Sequence, residues 1–272
     1  MFRQSLKQHR EDKLSNDAVQ DGSGRFGRIR NWLIIIALVI AFLWAAGYGA
    51  LYYFSDKMED AAAFESEIAA FEEQDAKDPP APGQILFIGS SSIRFWESLE
   101  RDMQPRAVIN RGFGGSMLHH STHFAERIIF PYEPSAIVLY AGDNDMGSLT
   151  SPRSADQVAK DFDAFVAKVR SGLGPVPIFY IAIKPSTLRE EQWPEMQKFN
   201  GMIADRTEQD PSLHFIDIAT PMLNSEGTPK EEYLAWDGLH LNEKGYALWT
   251  KIVREALDEG LGNVERRTRD SA

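Results

Sequence analysis

Cysteine is missing from all 272 residues. Its absence removes disulfide staples, thiolate metal centres, a cysteine nucleophile and a lipidated cysteine from consideration. It carries no information about compartment, because a secreted chain can do without disulfides. Basic residues are also scarce: 29 Lys and Arg stand against 40 Asp and Glu, a formal net charge of −11. The shortfall is uneven. Residues 1–31 hold seven basic residues against four acids, a net of +3, so the remainder of the chain carries −14. So acidic a main domain repels phosphate backbones, which argues against nucleic acid as a partner. No internal repeat and no low-complexity tract is visible, and an apolar share of 43% suffices for a packed core.

Charge is absent altogether from residues 32–54, WLIIIALVIAFLWAAGYGALYYF. As a helix this run is about 34 Å long, enough for a bilayer core of roughly 30 Å. Trp32 stands at one end and Tyr52 and Tyr53 at the other, where aromatic rings favour the interface. The expectation is an uncleaved membrane anchor. A cleaved signal peptide is the competing reading, but the polar lead is long, the apolar run exceeds a typical signal core, and no Ala-x-Ala site closes it. Arg25, Arg28 and Arg30 precede the span, whereas Asp56, Glu59 and Asp60 follow it with one Lys57. The positive-inside rule then puts the N-terminus in the cytoplasm and the rest outside it, in the periplasm or its equivalent. The stretch GSGRFG, Gly22–Gly27, fits a dinucleotide-binding pattern, but it follows no strand and is set aside.

The expected organisation is a basic tail (1–31), the span (32–54), an acidic helical linker (55–82), a catalytic domain (83–262) and a polar tail (263–272). In the linker, Ala61, Phe64, Ile68 and Phe71 are spaced as one apolar helix face, expected to pack on its own domain before the proline-rich DPPAPG stops it. Short apolar runs at 85–88, 107–109, 136–140, 176–183 and 213–218 then alternate with helical patterns. The clearest helix runs over 157–169, with Val158, Phe162, Phe165, Val166 and Val169 on one face. Another runs over 243–259, with Asn242 as N-cap and Tyr246, Trp249, Ile252, Val253 and Leu257 turned inward. Continuous apolar strands between helices mean a parallel sheet covered on both faces, so the expected α/β fold is a doubly wound five-stranded sheet behind an N-terminal transmembrane helix.

Ligands in such folds gather at the carboxyl ends of the strands. There the sequence places Gly89-Ser90-Ser91-Ser92 after the first strand and the glycine loop NRGFGGS (Asn110–Ser116) after the second. Gly142-Asp143-Asn144-Asp145 follows the third, and Trp236-Asp237-Gly238-Leu239-His240 precedes the last helix. Each group meets a need of acyl transfer. A serine hydroxyl is a weak nucleophile that needs a base. An imidazole can accept that proton at neutral pH, so His240 can be that base, and Asp237 can orient its ring. Asn144 and a backbone N–H of the glycine loop can hold a developing oxyanion.

These blocks resemble the SGNH (GDSL-like) hydrolases, whose four blocks centre on Ser, Gly, Asn and His. The similarity runs over roughly residues 83–260. It implies a flavodoxin-like three-layer sandwich, with Ser91 as the nucleophile, Asp237 and His240 as its partners, and an oxyanion hole of Ser91, Gly115 and Asn144. Ser90 stands where the family has aspartate and Ser92 where it has Leu or Ile, so the family's substrates do not carry over. The reaction implied is hydrolysis of a small acyl ester, acetyl first among them, with no cofactor. The site's placement points to an acetylated envelope glycan or lipid as substrate. Two other readings use the same fold: an acyltransferase with an alcohol as acceptor, and a non-catalytic module binding an envelope glycan or a protein.

Arg94, Trp96, Arg111 and Trp236 lie near these blocks and are candidates for lining the substrate cleft. His119, His120 and His123 look metal-like, but HHSTH offers no acid in H-E-x-x-H form, and no metal is expected.

Overall fold

The computed structural model describes residues 2–270, with side chains described for residues 30–262. The side chains of the basic tail through Ile29, and those of the polar tail 263–272, lie outside the described residues. Two compact units divide the chain, Met1–Phe54 and Ser55–Ala272. In the first, helix α1 (Phe2–Lys57) contains, over Arg30–Lys57, a stretch long and apolar enough to cross a membrane.

The second unit opens with a 3-10 turn, Ala61–Phe64, capped by the Asp60 carboxylate on the Ala62 N–H at 2.9 Å, and continues into α2 (Glu65–Lys77). Phe64 and Ile68 are fully buried, and Ala61 and Phe71 pack against the same core. The apolar face read from the sequence therefore docks onto its own domain, with Phe64 edge-on to Phe113 at 5.3 Å.

Five parallel strands follow: β1 (Ile85–Gly89), β2 (Val108–Gly112), β3 (Ala136–Tyr140), β4 (Ile178–Ile181) and β5 (Leu213–Ile216), in the order β2-β1-β3-β4-β5. The long helices α3 (Ala155–Leu173) and α4 (Trp193–Gln209) cover one face, where Tyr180 of β4 meets Phe162 at 5.4 Å and Phe199 at 5.7 Å. Helix α5 (Glu243–Asp270) covers the other, where Trp249 meets Tyr140 at 5.0 Å. Neighbouring strand residues point to opposite faces, which is why Tyr140 and the register partner of Leu139, Tyr180, serve different layers. The expected inward residues of α3 are all buried. Asn242 caps α5, its Oδ1 accepting from the Gly245 N–H at 3.0 Å.

Strand β2 runs three residues beyond its apolar run. Asn110, Arg111 and Gly112 keep register with Phe87, Ile88 and Gly89 because their polar groups find partners. Asn110 Nδ2 donates to the Ile93 carbonyl at 2.8 Å, and its Oδ1 accepts from the Gly112 N–H at 2.9 Å. The strand order turns back between β1 and β3, so a crevice opens at their carboxyl ends. Gly89 makes that close approach possible: its φ is +138°, and a Cβ there would come within 1.9 Å of the Tyr140 carbonyl oxygen.

Candidate active site

The three serines after β1 sit in different surroundings. Ser90 is fully buried, its Oγ 3.5 Å from Asp143 Oδ1. Ser92 is buried too, and its hydroxyl has no hydrogen-bond partner. Ser91 opens a single helical turn, Ser91–Arg94, whose Ile93 and Arg94 N–H groups both bond the Ser90 carbonyl. That turn lifts Ser91 over the strand end, where it is half-buried with Oγ 2.9 Å from His240 Nε2.

His240 is aimed by the loop before α5. Asp237 Oδ1 accepts from the Leu239 and His240 N–H groups, both at 2.9 Å, and Oδ2 accepts from His240 Nδ1 at 2.6 Å. A proton on Nδ1 leaves Nε2 as an acceptor, the tautomer that can take the Ser91 proton. Burial would raise the Asp237 carboxyl, but the bonds from the His240 ring and the two backbone N–H groups outweigh it and hold it at about 2. The group therefore stays ionised at neutral pH. The Phe95 ring lies edge-on to the imidazole, 5.1 Å between centroids.

Gly115 lies on the loop after β2 at φ +82°, and the Met58 Cε occupies the space beside it, 2.6 Å from where a Cβ would be. Asn144 belongs to the turn Asp143–Met146 after β3. Its Nδ2 donates to the Ser116 carbonyl at 3.0 Å, tying it to the glycine loop, and its Oδ1 accepts from Arg189 Nη2 at 2.7 Å. Behind it, buried Asp143 faces Lys184 Nζ at 3.6 Å and Arg189 Nη1 at 3.1 Å. Burial pushes the Asp143 carboxyl up, yet these two cations outweigh it and keep it below the ordinary range. Nothing in the sequence singled out Lys184 or Arg189. Both follow β4, whose strand end carries no family block.

Of the four residues proposed to line a cleft, two lie elsewhere. Trp96 is 1% exposed, packed against Phe87 and Trp249, with Nε1 donating to Asp102 at 2.9 Å. Arg111 is buried in an ion pair with Asp75, donates to the Tyr132 hydroxyl at 2.6 Å, and lies over the Phe71 ring. Arg111 ties the acidic helix to the β2 edge as a satisfied buried charge, and Trp96 packs in the core between β1 and α5. Arg94 stays at the rim, its Nη1 beside Gly114 and paired with Glu67 at 2.8 Å. Trp236 is 98% exposed next to Asp237.

His120 is a core histidine. The Met117 N–H donates to its Nδ1 at 2.9 Å, Nε2 meets the Glu59 carbonyl at 3.1 Å, and burial lowers its pKa to about 4. Acids absent from HHSTH do reach His119 in space. Among the described residues, His119, Asp145 and Asp161 bring ligand atoms within 4.8 Å of one another. Arg153 pairs with Asp161 there, and the Leu118 N–H meets both Asp145 oxygens, so protein groups already answer the cluster's charge.

A sequence profile of the GDSL-like Lipase/Acylhydrolase family matches residues 89–248. The chain belongs to that family. Among curated proteins, none matches it in sequence. Solved structures share the GDSL-like fold. A Streptococcus pneumonia protein named for platelet activating factor aligns at 22% identity and TM-score 0.62, over 71% of this chain and 92% of its own. A GDSL-like lipase from Bacteroides thetaiotaomicron aligns at 17% identity and TM-score 0.61, over 74% and 98%. An acetyl-xylooligosaccharide esterase from Geobacillus stearothermophilus, in an arginine-to-alanine variant, aligns at 16% identity and TM-score 0.55, over 65% and 95%.

Proposed function

We propose that this family member is a membrane-anchored serine esterase that hydrolyses small acyl esters. The unbroken chain of hydrogen bonds from Ser91 Oγ through His240 to Asp237 carries the reading. Ser91 Oγ attacks the ester carbonyl as its proton passes to His240 Nε2. Asp237 stabilises the imidazolium, and the oxyanion takes hydrogen bonds from the Ser91 and Gly115 N–H groups and Asn144 Nδ2. Collapse of this intermediate breaks the C–O bond, and His240 returns the proton to the departing alcohol. Water then attacks the acyl-serine as its proton passes to His240; collapse breaks the bond between the acyl carbon and Ser91 Oγ, His240 returns the proton to Oγ, and the carboxylic acid leaves.

Acetyl is the proposed acyl group, and the Met58 side chain beside Gly115 is the residue proposed to limit its length. The anchor is assigned to residues 32–54, with residues 55–272 on the extracytoplasmic side, on the strength of the uncharged run and its arginine-rich leading flank. That placement favours an acetylated envelope glycan or lipid as substrate. The absence of native cysteine gives a clean orientation test: Glu226→Cys, at an exposed turn, is expected to react with a membrane-impermeant maleimide on intact cells.

The activity test is p-nitrophenyl acetate hydrolysis by the full chain. Ser91→Ala is expected to lose on the order of 10³-fold or more in kcat. Retention of the wild-type rate by that variant rejects the esterase mechanism.

A further inference from the structure

We propose that Arg189 is a positioning residue that fixes the Asn144 amide in its donating orientation. This rests on the reading above that Asn144 serves the oxyanion. An asparagine side chain presents a carbonyl oxygen on one side and two N–H donors on the other, and its partners decide which way round it sits. Here the two ends are sorted by charge. Arg189 Nη2 donates to Asn144 Oδ1 at 2.7 Å, and Asn144 Nδ2 donates to the Ser116 carbonyl at 3.0 Å. A guanidinium has no acceptor, so a reversed amide would set N–H against N–H. With one Nδ2 hydrogen held by Ser116, the second is left to meet a carbonyl oxygen becoming an anion. A cation on the amide oxygen also polarises the group and strengthens that donor.

Arg189 is itself held in place. Its Nη1 stands 3.1 Å from Asp143 Oδ2, without the alignment of a hydrogen bond, and the side chain is largely buried. Its Nε runs across Gly147, where a Cβ would come within 2.5 Å, so that glycine leaves the slot the guanidinium fills. The planar fork reaches Asp143 with one nitrogen and Asn144 with the other, a geometry a single ammonium cannot reproduce. Asp143 has a second cation in Lys184, at 3.6 Å, so its charge does not by itself account for Arg189.

The same segment grips the other half of the site. Leu188 N–H donates to the Gly238 carbonyl at 3.1 Å, and Thr187 Oγ1 donates to the same oxygen at 3.2 Å. Gly238 lies between Asp237 and His240. The turn Thr187–Gln192 thus spans from the oxyanion donor to the loop that carries the base.

A double-mutant cycle on the full chain tests this, with p-nitrophenyl acetate as substrate and Ser91→Ala as the inactive reference. Arg189→Met is expected to lower kcat about 10- to 100-fold while KM moves less than about twofold. In an Asn144→Ala background the same substitution is expected to cost less than about twofold, because the group it positions is gone. Arg189→Lys keeps a cation for Asp143, so it is expected to retain the wild-type melting temperature while losing kcat. It also carries the cycle if Arg189→Met does not fold. An equal loss from Arg189 substitution in both backgrounds, or a change confined to KM, overturns the assignment. Activity retained by Ser91→Ala would instead strike the esterase reading itself, so the two failures are told apart.

Discussion

The relay from Ser91 to Asp237 and the charged group behind Asn144 are adjacent, yet they are built on opposite terms. In the relay, His240 and Asp237 each keep about a quarter of their side chain exposed. Short bonds inside one loop hold the Asp237 carboxylate, with two N–H groups of that loop on one oxygen. Behind Asn144, Asp143 and Lys184 are sealed from water, and the partners come from two different strand ends. A partly solvated pair survives the loss of one partner at small cost. A buried ion left alone does not, because its desolvation is no longer offset. The relay should therefore fail in chemistry and the buried group in folding.

The largest effect tests the first half of that contrast. Ser91→Ala should abolish turnover at unchanged melting temperature, by on the order of 10³-fold or more. Ser90→Ala and Ser92→Ala should keep rates within about tenfold of wild type, since neither hydroxyl touches His240. A comparable loss from either neighbour would mean that the turn presents a different serine. The second half is tested by Lys184→Met, which leaves Asp143 with Arg189 as its one cation and should destabilise the domain by roughly 1–3 kcal/mol in denaturant unfolding. Adding Asp143→Asn should recover most of that loss. If Lys184→Met unfolds like wild type, the ion pair is not what keeps Asp143 tolerable.

The same contrast explains what could be read from the chain alone. Ser91, Asn144, Asp237 and His240 each follow a strand or precede a helix in a short recognisable block, so the rule about strand ends makes them candidates without coordinates. The apolar runs placed all five strands because a strand covered on both faces needs such a run. The polar half of β2 was invisible for the converse reason: Asn110 and Arg111 read as loop until their partners, Ile93 and Asp75, are brought to them by the fold. Arg189 and Lys184 were hidden in the same way. Each is one cation among many in the sequence, and only a carboxylate or an amide 40 or so residues away gives it meaning. Trp96 was misplaced because its position in the first block suggested the rim, while its size and its contacts with Phe87 and Trp249 put it in the core.

A milder effect is expected at Asp145, one residue past Asn144. Burial raises this carboxyl to about 7, with the Leu118 N–H and Arg153 only partly opposing it, and Asp161 and Asp143 adding to the rise. An aspartate in the unfolded chain titrates near about 3.9. Between those values the folded chain holds a proton that the unfolded chain has lost. The stability Asp145 contributes is thus complete below about pH 4 and lost as pH rises toward 7. His120, lowered to about 4 by burial, loses stability as pH falls over the same range, so the contribution of Asp145 is read by difference: Asp145→Asn, which keeps an acceptor for Leu118, should reduce the melting temperature at pH 5 relative to that at pH 8 by several degrees compared with wild type. Identical pH profiles for the two proteins would show that Asp145 is ionised in the fold.

The smallest effect concerns the relay's own surroundings and separates shape from chemistry. Met58 comes from the segment before the sheet, outside every family block, yet its Cε closes the space beside Gly115. Removing it leaves Ser91, His240 and Asp237 untouched, so p-nitrophenyl acetate turnover by Met58→Ala should stay within about threefold of wild type. The opened space should admit longer chains and raise the butyrate-to-acetate ratio by about threefold or more, since one methylene in an apolar pocket is worth roughly 1–3 kcal/mol. A ratio that does not move would put the acyl chain on the other side of Gly115, toward Phe95, whose ring is half exposed beside His240. Selectivity would then be set by the turn that carries Ser91, and Phe95→Ala would be the variant to change it.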